Sequence, residues 1–186
     1  MNPTQPILAV TDFSPLARHA AERAARLAHE TGAPLTLMHV MRGGALHNLR
    51  QWLGTSHPLA TQLEADAQQQ LDQLAADLHT ARHVSARTVL ASGSVLDEIG
   101  QKAEALNAAL LVLGARGEGF LRRQVLGTTS ERLLRRTTRP VLVVRQTPHA
   151  AYRRVLVALD FSPWSLQALA VARSVAPHAH LVLFNA

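Results

Sequence analysis

Cysteine is absent from the 186-residue chain. That excludes disulfides, zinc–thiolate centres and a cysteine nucleophile. Lysine is nearly absent: Lys102 stands alone against 18 arginines, and the formal net charge is +6. Aromatic residues make up 4% of the chain. No basic patch is interleaved with rings on which bases could stack, so nucleic acid is not an expected partner. No apolar run reaches 18 residues, so no membrane span is expected. The opening MNPTQPILAVTDF lacks a basic segment followed by a long apolar core, which gives a cytoplasmic expectation. Also missing are the G-x-S-x-G elbow of serine hydrolases, the G-x-G-x-x-G dinucleotide fingerprint and the G-K-[ST] end of a P-loop.

What is present is a chain with 47% apolar residues, enough for a sizeable core. Short apolar runs alternate with helical patterns. Ile7–Val10, Leu35–Val40, Val84–Ala91, Ala109–Leu113 and Pro140–Val144 read as strands. Helices are expected over Ala17–Glu30, over Leu59 to Leu78 (with Leu63, Ala67, Leu71 and Leu74 on one stripe), over Val95–Asn107 and up to about Arg136. Residues 42–58 are the least regular part, with a short helix around Trp52. Strand–helix alternation with little polar alternation inside the strands indicates a parallel sheet covered by helices on both faces.

The stretch Gly114–Ser130, GARGEGFLRRQVLGTTS, lies between the fourth strand and its helix. A glycine-rich turn followed by a helix N-terminus is suited to holding phosphate. Gly114 would allow a sharp exit from the strand, and Gly117 a close backbone approach. Gly127 would open the helix, with the hydroxyls of Thr128, Thr129 and Ser130 at its start. Arg116, Arg122 and Arg123 could add charge-assisted contacts. In an open parallel sheet the ligand sits beyond the carboxyl ends of the strands where their order reverses. Asp12, ending strand one, would then face Gly114, and Val40, ending strand two, would offer an apolar wall for a base. The basic charge reads equally as a solvated face or as attraction for a polyphosphate.

The chain then begins again. Val155 to Pro163 repeats Ile7 to Pro15 at 148 residues' distance, with Asp-Phe-Ser-Pro identical in both, and the copy ends after Leu181–Phe184. Residues 146–151 read as a linker. A strand–helix–strand piece is too small to bury a core alone, so it is expected to pack on the first unit, to pair with a neighbour or to belong to a longer parent. Ser14 and Ser162, each before a proline, read as helix caps. His178 and His180 form the only close histidine pair, without a second cluster to complete a metal site.

Asp12 after an apolar strand, Leu37-Met38-His39-Val40, and above all Gly114-x-x-Gly117-x9-Gly127-Thr128 resemble the universal stress protein family. Ser130-Glu131-Arg132-Leu133-Leu134 and Arg139–Val144 resemble its C-terminal signature. The resemblance covers residues 1–146 as a complete domain and resumes at 152–186 as the start of a second, as in tandem members. It implies a five-stranded parallel sheet in the order 3-2-1-4-5, adenine-nucleotide alpha-hydrolase-like, with homodimers formed through the fifth strand. The spacing is that of the ATP-binding subgroup. By that resemblance Asp12 contacts the ribose or a magnesium-bound phosphate, Val40 lines the adenine, and Gly114, Gly117, Gly127 and Thr128, with Thr129 and Ser130, hold the phosphates. Arg116 stands where a basic residue or His is frequent, and Thr129 replaces a usual apolar residue. Three functions follow: an ATP-binding regulatory or stress-response protein without fast turnover, a slow ATPase or phosphoryl or nucleotidyl transferase, and a nucleotide-independent scaffold.

Overall fold

Five apolar runs form parallel strands: β1 (Ile7–Thr11), β2 (Leu35–Arg42), β3 (Ala86–Gly93), β4 (Leu110–Gly114) and β5 (Val141–Val144). They make one sheet in the order β3-β2-β1-β4-β5. The structure is a computed structural model that describes residues 5–43, 58–115 and 128–185. The short helix expected around Trp52 lies outside them.

Period-two alternation along the central strands sends neighbouring side chains to opposite faces. Ile7 and Ala9 join the core under α1 (Pro15–Thr31) and α2 (Pro58–Arg82). Leu8 joins the core under α3 (Val95–Ala105) and α4 (Thr128–Arg136), with Met38, Ile99, Leu111 and Leu133. Helix α1 buries six alanines, from Ala17 to Ala28, so its axis can lie close to the sheet. Gly32 closes it in the left-handed conformation at φ 70°.

Helix α2 departs from expectation at its start. Ala67, Leu71, Leu74 and Leu78 are buried, but Leu59 and Leu63 are 43% and 42% exposed. The cause is length. Its 25 residues extend about 37 Å, whereas the eight-residue strands it crosses span about 26 Å. The first turns therefore overhang the sheet. No helix among the described residues is long and apolar enough to cross a membrane.

The repeated segment forms β6 (Arg154–Leu159), α5 (Pro163–Val175) and β7 (His180–Asn185), with the two strands paired in parallel. It packs on the first unit. Tyr152 and Val175 rest against the α1-side core. Arg23 donates to the Ala150 carbonyl at 2.9 Å and lies over the Tyr152 ring at 4.2 Å, while Arg26 donates to the His149 carbonyl. An apolar groove of about 910 Å³ separates β5 from α5, bordered by Leu142, Tyr152, Val155 and Trp164. Leu156, 148 residues after Leu8, is 68% exposed where Leu8 is fully buried. The difference is one of cover: Leu8 lies under α3 and α4, whereas the repeated segment has α5 as its one helix among the described residues.

Candidate functional site

The ladder between β1 and β4 runs only from Ile7–Leu110 to Ala9–Val112. Beyond it β1 stays paired with β2 as far as Thr11, and Leu113 and Gly114 stay paired with β5. The central pair of strands therefore parts at its carboxyl end, and a crevice opens where the strand order reverses.

Asp12 stands on one lip of this crevice. Its Oδ1 accepts from the Ser14 amide at 3.1 Å and the Ser14 hydroxyl at 2.6 Å. Ser14 Oγ in turn accepts from the Ala17 amide at 3.3 Å, capping α1 with Pro15 in the first turn. The capping role read for Ser14 thus holds, and so does that of Ser162, which accepts from the Ser165 amide. Phe13 takes φ 63°, a left-handed conformation that costs a non-glycine residue about 1–2 kcal/mol. The paired Asx turn and cap hold it there.

Gly114 ends β4 on the opposite lip, as expected, but for a different reason. A Cβ there would lie 2.9 Å from the Leu16 carbonyl carbon and 3.0 Å from the Ala17 nitrogen. The first turn of α1 crosses directly over Gly114, which brings the Asp12 elbow and the end of β4 together. The Ser130 hydroxyl donates to the Gly114 carbonyl at 3.0 Å, and Ser130 is buried. Helix α4 begins at Thr128, and Thr129 is exposed. The N-terminus of α4, with its unpaired amides, is thereby fixed beside the crevice. Arg116, Gly117, Gly127 and the Thr128 side chain lie outside the described residues.

Val40 does not end its strand. Pairing with β3 continues through Arg42–Gly93, and the Val40 side chain is buried in the α3-side core. The sequence reading also passed over His39. Its Nδ1 lies 2.8 Å from the Thr11 carbonyl, and its ring meets that of Phe13 at 4.4 Å between centroids. The available signal was a histidine near the end of β2, at the same sheet edge as an identical repeated Phe-Ser-Pro.

The second unit repeats the elbow. Asp160 Oδ1 accepts from the Ser162 amide at 2.9 Å, and Phe161 takes φ 60°. Hydrogen bonds from Ser162, first of all, hold the Asp160 carboxyl at about 2.

Residues 3–145 match the model of the universal stress protein family, and the chain belongs to that family. It is 32% identical over 169 residues to a universal stress protein of Mycolicibacterium smegmatis, covering 86% of this chain and 55% of that one. The chain thus spans about half the length of that curated relative. A solved universal stress protein from Archaeoglobus fulgidus superposes with a TM-score of 0.77 at 22% identity, over 97% of this chain and 66% of that one. A second structure from Archaeoglobus fulgidus, a universal stress protein in complex with dAMP, gives 0.57 at 18% identity, over 78% of this chain and all of the other.

Proposed function

We propose that the chain binds ATP in the crevice between β1 and β4 and holds it without fast turnover, as a regulatory member of its family. The observation that carries this reading is the parting of the two strands beyond Ala9 and Val112, with the Asp12 elbow on one lip and the start of α4 on the other. The fold neighbour in complex with dAMP supports an adenine nucleotide as the ligand class. In this reading Gly117, Gly127 and Thr128 cradle the phosphates beside the α4 amides, with Arg116 and Thr129 adjacent. Val40 bounds the base through its backbone, since its side chain is committed to the core. Ser130 acts by mooring α4, because its proton is given to Gly114.

Magnesium suits this donor set. The ion takes one or two carboxylates and completes its shell with phosphate oxygens and water, and Asp12 supplies a carboxylate at the crevice. Bound magnesium would neutralise phosphate charge; the chain's own part is to position and to retain.

Residues 152–186 are the start of a second domain of the same family in this proposal. The repeated elbow at Asp160–Pro163 supports it. Homodimers form through β5, which has a strand on one side only. Isothermal titration of the full chain with ATP and Mg²⁺ tests the central claim. Saturable binding at or below millimolar nucleotide is expected, and a folded sample that takes up no heat would refute it.

A further inference from the structure

The two elbows are held by one arrangement made from different residues. In the first unit His39 Nδ1 reaches the Thr11 carbonyl at 2.8 Å. In the second, Asn185 Nδ2 donates to the Leu159 carbonyl at 2.7 Å. Each donor sits on the second strand of its unit, and each is the register partner of the residue it holds, Thr11–His39 and Leu159–Asn185. Each held carbonyl belongs to the residue before the elbow aspartate, and each aspartate is followed by a phenylalanine at φ near 60°. A carbonyl oxygen only accepts, so His39 Nδ1 carries the proton, and an asparagine amide is an equivalent donor. The donor lies 28 residues beyond its acceptor in the first unit and 26 in the second. The 148-residue repeat therefore sets Asn185 against Leu37 and conceals the correspondence.

This cross-strand bond acts where the sheet gives least support. Past Ala9, β1 has lost β4 and is held from the β2 side alone. The next residues enter an unfavourable left-handed turn. The ring contact with Phe13 is peculiar to His39; the second unit lacks it, and Phe161 is 74% exposed. The hydrogen bond is the part that both units keep.

We propose that His39 is a positioning residue of the nucleotide crevice, holding the end of β1 through Nδ1 so that the elbow presents Asp12 to the ligand, and that Asn185 serves the second elbow in the same way. The proposal rests on the nucleotide reading for the consequence, and on geometry alone for the hydrogen bond.

The test compares the full chain with His39→Asn, which keeps a donor, and His39→Leu, which removes it. Two readouts are taken: ATP affinity with Mg²⁺, and amide hydrogen exchange at Phe13 and Ser14. Loss of one such bond should weaken ATP binding about tenfold and speed exchange about tenfold in His39→Leu. His39→Asn should stay within about threefold of the parent in both. Unchanged affinity and exchange in His39→Leu, or equal losses in the two variants, would overturn the proposal. If the parent chain binds no ATP, the nucleotide reading fails by itself, and exchange still decides whether His39 holds the elbow. If His39→Leu does not fold, Asn185→Leu and Asn185→His at the edge of the second unit give the same contrast at Phe161 and Ser162. Faster exchange in the first, restored in the second, supports the arrangement, and equal exchange in both rejects it.

Discussion

The Ser130 hydroxyl donates to the Gly114 carbonyl at 3.0 Å, so the first turn of α4 is moored to the residue that ends β4. Ser130 is only 5% exposed. Replacing it by alanine leaves the Gly114 carbonyl without this donor in a partly buried setting. Ser130→Ala should lower stability by about 1–2 kcal/mol. The check is a shift of the urea midpoint with an unchanged slope.

Gly114 tolerates no side chain, because the atoms that a Cβ would meet belong to the α1 backbone and cannot swing aside. Gly114→Ala should therefore cost about 1–3 kcal/mol through overpacking. It should also shift the amide resonances of Leu16 and Ala17. An unchanged midpoint and unchanged resonances would show that α1 does not press on β4.

Arg23 is 8% exposed and carries two contacts to the connecting segment, the Ala150 carbonyl and the Tyr152 ring. Arg23→Met preserves the aliphatic stem but removes the donor and the cation. Stability should fall by about 1–2 kcal/mol, and limited proteolysis should cut within 146–152 sooner than in the parent. Equal cleavage rates would mean that the second unit is retained by other contacts.

Asp160 carries a pH dependence with a defined sign. Its folded value, about 2, lies below the ordinary 3.8. A depressed carboxyl contributes its stabilisation fully above the unfolded value and loses it as pH falls through the folded one. The elbow of the second unit should therefore loosen between about pH 4 and pH 2. The Ser162 amide resonance should follow that transition, and Asp160→Asn should abolish it.

Gly117 tests the proposed phosphate cradle directly. Gly117→Val should weaken ATP binding at least about a hundredfold by denying close backbone approach. Circular dichroism and the urea midpoint should stay unchanged. Retained affinity would remove the glycine loop from the site.

The strands were legible because burial on both faces leaves continuous apolar runs such as Ile7–Val10 and Leu110–Leu113, which need no partner to be recognised. The caps at Ser14 and Ser162 were legible for a related reason: Ser-Pro fixes a helix start locally. What escaped depends on residues distant in sequence. The reason for Gly114 lies in α1, nearly a hundred residues earlier. The overhang of Leu59 and Leu63 depends on how far β2 and β3 extend. Val40 reads as the strand end because a loop signal with two glycines begins at Arg42, whereas pairing with β3 carries the backbone through Arg42. His39 stands in the Leu37-Met38-His39-Val40 run with nothing local to give it a role, since its bond to Thr11 exists only once the two strands are in register.

The lone ladder between β6 and β7 bears on cooperativity. In the five-stranded sheet, β1 cannot leave without breaking two ladders and opening two cores, so its amides exchange only when the whole unit unfolds. Leu156 and its neighbours on β6 are released by breaking one ladder, at a much smaller free energy. Heating or denaturant should therefore release the second unit first, and a urea midpoint followed through the five-stranded sheet describes the first unit alone.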